Sequence, residues 1–94
     1  MKNININSLL LINNPKIIDI RSNYNFINGH IPGSINITSS ELLNNYKKYL
    51  NKNETYYIYC QSGSRSKLIV NELSKLGFKV ININGGYNAY LFRY

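Results

Sequence analysis

Tryptophan is absent from this 94-residue chain, and cysteine, methionine and histidine occur once each. A lone cysteine cannot close an internal disulfide, and such usage suits a reducing compartment. Long apolar runs are also missing. The Leu9-Leu10-Leu11-Ile12 stretch is too short for a secretory signal core or a membrane span, so a cytoplasmic protein without membrane contact is predicted. Acidic side chains are scarce: four Asp and Glu stand against eleven Lys and Arg, a net charge of +7. That excess steers anionic partners toward the surface. No basic run exceeds two residues, and no aromatic–basic interleaving marks a nucleic-acid platform, so nucleic-acid binding is not favoured. Internal repeats, linkers and low-complexity tails are lacking too. One domain over residues 1–94 is expected, burying about two thirds of its unfolded surface. Asn, Ile, Lys and Tyr are used heavily; their A/T-rich codons make this a genome bias before it is a functional signal.

What is present alternates between apolar runs and helical patterns, which predicts an α/β domain with a mainly parallel, roughly five-stranded sheet flanked by helices. Ile4 and Ile6 alternate with Asn in a short first strand, and Ser8 to Ile12 reads as one or two helical turns. Residues 17–20 form a buried-strand candidate. A short helix follows over 24–28 with Asn23 as its cap. Gly29-His30-Ile31-Pro32-Gly33 is a turn cluster, and residues 34–37 are a strand. The Ser39-Ser40-Glu41 start opens a helix to about Leu50, with Leu42, Tyr46, Tyr49 and Leu50 on one face. Strands are expected over 55–59 and 80–83. The clearest helix runs from Arg65 to Leu76, its buried stripe formed by Leu68 or Ile69, Leu73 and Leu76, with Gly77 as a left-handed cap. Gly85-Gly86 turns the chain into a terminal helix over 87–94.

The chemistry concentrates at Cys60-Gln61-Ser62-Gly63-Ser64-Arg65-Ser66. An apolar strand ends at Cys60, small polar residues turn the chain, and a helix resumes near Arg65. Backbone amides at a helix start present partial positive charge to an anion. A thiolate is such an anion, so the pKa of Cys60 should fall below the ordinary value of about 8.5. Gly63 admits backbone angles closed to other residues. Arg65 contributes a permanent charge and a planar fork suited to oxyanions. A lone cysteine is more often a buried core residue, but this position after a strand reverses that reading. The loop lies at the carboxyl end of a strand, where open α/β sheets place their ligands.

Four segments together resemble the rhodanese-like domains, in their single-domain sulfurtransferase form. Asp19-Ile20-Arg21 resembles the Asp-x-Arg ending an early strand. Gly29 to Asn36 resembles a Gly-His-Ile-Pro-Gly-Ala-x-Asn signature, with Ser34 in place of Ala. Cys60 to Ser66 resembles the active-site loop. Gly85 to Tyr90 resembles a closing Gly-Gly-x-x-Ala-Trp, with Tyr90 in place of Trp. Two further departures are Ser22, where many relatives carry Glu, and the lack of a second cation between Cys60 and Arg65.

The resemblance implies a double displacement through a Cys60 persulfide. A small anionic sulfur donor such as thiosulfate supplies the sulfur; a thiol, protein cysteine or cyanide accepts it. Cys60 and Arg65 would be catalytic, with Gln61, Ser62, Gly63, Ser64 and Ser66 binding the substrate. Asp19, Arg21 and His30 would be structural: an ion pair tying the early strand to its loops, and a turn hydrogen bond in place of a general base. No metal or organic cofactor is implied. Alternatives are a sulfur relay or regulatory module acting through a partner protein, and a phosphatase or arsenate reductase. The last resembles Cys-x5-Arg, one residue longer than the loop here.

Overall fold

The computed structural model describes residues 2–93. Five strands, β1 (Asn3–Ile4), β2 (Lys16–Asp19), β3 (Ser34–Asn36), β4 (Thr55–Tyr59) and β5 (Lys79–Ile83), form one sheet in the order β1-β5-β4-β2-β3. Every pairing is parallel. Parallel strands are covered on both faces and read as unbroken apolar runs, as in Ile17-Ile18 and Tyr56-Tyr57-Ile58-Tyr59.

The covering layers define two cores. On one face, Ile18, Ile58 and Val80 pack with Ile69, Val70 and Leu73 of α5 (Ser64–Lys75) and with Leu42 of α3 (Ser39–Asn44). On the other, Ile17, Tyr59 and Ile83 pack with Ile6 and Leu9 of α1 (Ile6–Leu9) and with Ile31; Tyr87 and Ala89 of α6 (Gly86–Leu91) close against them. Burial of each large apolar side chain contributes about 1.5–3 kcal/mol. The result is the three-layer parallel architecture that the alternating sequence pattern predicts.

Local deviations from the sequence reading have physical causes. Ile6 belongs to a helix instead of extending β1, because the Asn5 side chain accepts a hydrogen bond from the Ser8 amide at 2.8 Å and caps α1 two residues early. Ser22, not Asn23, caps α2 (Asn23–Ile27), accepting from the Asn25 amide at 3.2 Å.

The helix expected from Ser39 to Leu50 is interrupted at Asn45 (φ −134°), which separates α3 from α4 (Tyr46–Tyr49). Asparagine loses little by leaving helical geometry when its side chain finds a local partner; here it donates to Glu41 Oε1 at 3.0 Å. Of the stripe assigned to α5, Leu73 is buried and Ile69, not Leu68, takes the first place; Leu76 is exposed, and Val70 is buried in addition. Gly77 (φ +94°) ends the helix as expected. The last helix stops at Leu91; Leu91 and Phe92 are exposed and give it no apolar face to continue on. Tyr94 lies outside the described residues.

Candidate active site

Cys60 follows the last residue of β4, and α5 begins four residues later at Ser64. Gly63 turns the chain with φ +93°, and a Cβ there would sit 2.9 Å from the Gly85 nitrogen. This turn folds the helix start back over the thiol. The Gly63 and Ser66 amides point at Cys60 Sγ from 3.1 and 3.4 Å, and Ser66 Oγ lies 3.5 Å away. Cys60 is only 6% exposed and belongs to the core beside α5. Its sulfur nevertheless faces the amides, and Cys60 is among the residues lining an open cleft of about 800 Å³.

A second glycine turn fixes the loop from behind. The Tyr87 amide donates to the Cys60 carbonyl at 2.9 Å, and the Asn88 amide donates to the Gln61 carbonyl at 3.0 Å. With those carbonyls engaged by the first turn of α6, the loop's amides are left to face the sulfur. Gly86 permits this approach: its φ is +56°, and any Cβ would collide with the Cys60 carbonyl oxygen. The closing Gly-Gly segment is thus the backstop of the thiol loop.

Asp19 and Arg21 form the buried brace that their sequence positions suggest. The guanidinium binds Asp19 through Nε and Nη2, donates to the Gly29 carbonyl through Nη2 at 2.6 Å, and reaches Gln61 Oε1 through Nη1 at 2.9 Å. It also lies over the Tyr87 ring, 4.3 Å from the centroid, a cation–π geometry. Gln61 passes the connection on, donating to Asn88 Oδ1 at 2.6 Å. Asn36 fastens the same segment by donating to the Asp19 and Arg21 carbonyls. His30 is placed as a turn residue: Nδ1 sits 2.8 Å from the Phe26 carbonyl and the ring stacks on Phe26.

Burial pushes the Cys60 thiol up. Hydrogen bonds from the Ser66 hydroxyl and from the Ser66, Gly63 and Ser62 amides outweigh it and leave the pKa below the ordinary cysteine value. A depressed pKa keeps the thiolate populated to lower pH. Its contribution to stability is complete above the unfolded-state pKa and is lost as pH falls through the folded-state pKa. Alkylation by iodoacetamide at neutral pH should therefore outpace that of a free cysteine peptide, and should slow only at pH values where the peptide is already inert. Coincident pH profiles for the two would refute this.

The other residues picked from the sequence separate into two groups. Ser62, Ser64 and Arg65 are exposed and line the cleft with Cys60 and Gln61. Gly63 contributes its amide. Ser66 is fully buried, its hydroxyl turned toward Asn82 Oδ1 at 2.5 Å, so it meets the thiol from beneath and not from the cleft.

Sequence reasoning missed the far wall of the cleft, made by Ile20, Asn25, Thr38, Ser39 and Leu68. It also missed Asn82 and Asn88. A signal existed for Asn82, a polar residue inside the apolar run Val80 to Ile83; none existed for the wall, which the fold assembles from three separate segments. Among the described residues no three His, Cys, Asp or Glu side chains cluster as a metal site, and no helix is long and apolar enough to cross a membrane.

Known proteins are similar to this chain in sequence and in fold. The curated "Putative sulfur carrier protein YrkF" of Bacillus subtilis is 38% identical over 71 residues, which span 74% of this chain but 38% of that protein. "Putative sulfurtransferase YtwF" of the same organism is 31% identical over 74 residues, covering 79% of this chain and 71% of its own length. A crystal structure of a rhodanese-related protein from Thermoplasma volcanium superimposes with a TM-score of 0.89 at 33% identity, over 97% of this chain and 91% of the other. Residues 7–92 match the Rhodanese-like domain family. With the thiol loop, its glycine backstop and the Asp19–Arg21 brace in the order that the four segments suggested, the chain belongs to the rhodanese-like domain family.

Proposed function

We propose that the protein is a sulfurtransferase that carries a sulfane sulfur on Cys60. The observation that carries this reading is the Cys60 sulfur facing the Gly63 and Ser66 amides at the start of α5. In the first half-reaction the Cys60 thiolate attacks the outer sulfur of a donor such as thiosulfate. The donor's S–S bond breaks, sulfite departs with the electron pair, and a Cys60 persulfide remains. In the second, an acceptor thiolate or cyanide attacks the outer sulfur and the Cys60 thiolate is released. Ping-pong kinetics follow from such covalent catalysis. The names of the two Bacillus relatives agree with this chemistry.

Incubation with thiosulfate should add one sulfur atom to the intact mass, and cyanide or dithiothreitol should remove it. An unchanged mass with thiosulfate and with other sulfane donors would reject the proposal. Arg65, exposed on the cleft wall, would bind the sulfonate oxygens. A charge-assisted contact there, weakened by solvent screening, predicts that Arg65→Ala raises KM for thiosulfate by about tenfold with kcat little changed. An unaltered KM would place the donor elsewhere.

Loop length speaks against phosphoryl chemistry. Four residues separate Cys60 from Arg65, a ring suited to a sulfur beside the thiolate and tight for a tetrahedral phosphate.

A second reading, a relay delivering sulfur to a partner protein's cysteine, rests on the cleft. Its roughly 800 Å³ and the exposed Leu68 on its rim exceed what a small inorganic anion occupies. Slow thiosulfate turnover beside rapid transfer to a protein thiol would select the relay; the opposite ranking would exclude it.

A further inference from the structure

Asn82 is fully buried in β5, between Val80 and Ile83. A buried polar side chain requires hydrogen-bond partners, and this one has two. Its Nδ2 donates to Asn3 Oδ1 at 3.2 Å, across the register pair that joins β5 to β1. Its Oδ1 accepts from Ser66 Oγ at 2.5 Å. Ser66 in turn stands beneath the thiol, with Oγ 3.5 Å from Cys60 Sγ.

A serine hydroxyl has one proton to donate. Around Ser66, Asn82 Oδ1 at 2.5 Å and the Gly63 carbonyl at 3.2 Å compete for it. While Cys60 is protonated the sulfur makes no claim on it: S–H donates to Ser66 Oγ, and Ser66 donates onward to Asn82, the nearer acceptor. Once the sulfur ionises it becomes a third acceptor, and it must draw the proton chiefly from Asn82 Oδ1, the nearest of its rivals. The Gly63 and Ser66 amides serve the thiolate without this competition, because their protons have no rival acceptor in the cradle.

We propose that Asn82 is a positioning residue that competes with Cys60 for the Ser66 hydroxyl proton and so limits how strongly the cradle stabilises the thiolate. No proton travels along the chain. The thiol proton leaves to water in the cleft, and the Ser66 hydroxyl only rotates. The other charged and titratable groups around the sulfur act by different routes. Arg65 lines the cleft, and Arg21 lines it while bound to Asp19. Tyr59 turns its hydroxyl to the opposite face, toward Ser34 and the Ile31 amide. None of these hydrogen-bonds Ser66 among the described residues, so Asn82 reaches the thiol through Ser66 alone. The consequence for turnover rests on the sulfurtransferase reading: when the outer sulfur carries the charge, the Ser66 proton returns to Asn82 and the inner sulfur is held less tightly.

The test reads the thiol directly, by the pH profile of iodoacetamide alkylation, and is independent of any sulfur donor. In Asn82→Leu the profile should move to lower pH, raising the alkylation rate below the wild-type midpoint by about three- to tenfold, the worth of one hydrogen bond. In a Ser66→Ala background the same substitution should move nothing, because coupling vanishes when the shared partner is gone. A midpoint that stays or rises in Asn82→Leu, or an equal fall in both backgrounds, would overturn the proposal. Should Asn82→Leu fail to fold, the unaltered protein decides. The side-chain amide resonances of Asn82 should titrate with the Cys60 midpoint and lose that titration in Cys60→Ala. Resonances that ignore the thiol's ionisation would equally overturn it.

Discussion

Cys60→Ser should lower sulfur transfer by on the order of a thousandfold or more, the scale on which removal of a covalent nucleophile acts. The substitution is close to isosteric, and a serine oxygen can occupy the place of Sγ before the Gly63 and Ser66 amides. An alkoxide is not available at neutral pH, however, and it cannot hold sulfur as a persulfide. The melting temperature should change little while the sulfur adduct disappears from the intact mass. Retention of either turnover or adduct in Cys60→Ser would remove Cys60 from the reaction. A loss of activity accompanied by unfolding would show instead that the cradle depends on sulfur for its packing, and the chemistry would then be judged from Cys60→Ala.

The second large effect concerns stability. Asp19→Ala should cost about 3–5 kcal/mol, because it leaves a buried guanidinium without its counter-charge. The Asp19 side chain is wholly inaccessible and that of Arg21 is 5% exposed. Native stabilities run at about 0.05–0.15 kcal/mol per residue, so a domain of this size would lose a large share of its total. The damage should also reach the site, since Arg21 holds the Gly29 carbonyl and Gln61 of the thiol loop. Urea unfolding at neutral pH measures the loss; a decrease below about 1 kcal/mol would mean that the guanidinium, once deprived of Asp19, is not held as an uncompensated buried charge. Replacing both partners by apolar residues of similar volume should cost less than either single change, which separates the worth of the pair from the penalty of an orphaned charge.

Much of this was legible in the chain itself, and for definite reasons. Strand β4 and helix α5 follow from residues whose local preference and final environment agree: β-branched and aromatic residues over Thr55–Tyr59, then a helical apolar spacing that ends at Gly77. The position of Cys60 was legible because the apolar β-run ends there and small polar residues lead from it into a helix. The failures are local competitions that an asparagine or serine side chain decides. Asn5 drew Ile6 into α1, Ser22 displaced Asn23 as a cap, and Asn45 split one helix into two. Leu76 was misplaced, and Ile69 was not separated from Leu68, because helical spacing fixes which residues share a face; it does not fix which edge of that face meets the sheet.

Sequence alone therefore gave the succession of strands and helices, the loop with its thiol and cation, and the family. These rest on patterns of neighbouring residues, which local sterics and hydrogen bonding express wherever the chain folds. Tertiary structure decided which groups meet across the fold. It set the α6 amides behind Cys60 and Gln61, carried Arg21 to a loop forty residues away, and brought Asn82, held by Asn3, to Ser66. Such meetings depend on strand order and on the close approach permitted by Gly63 and Gly86, neither of which is encoded in the spacing of any one segment.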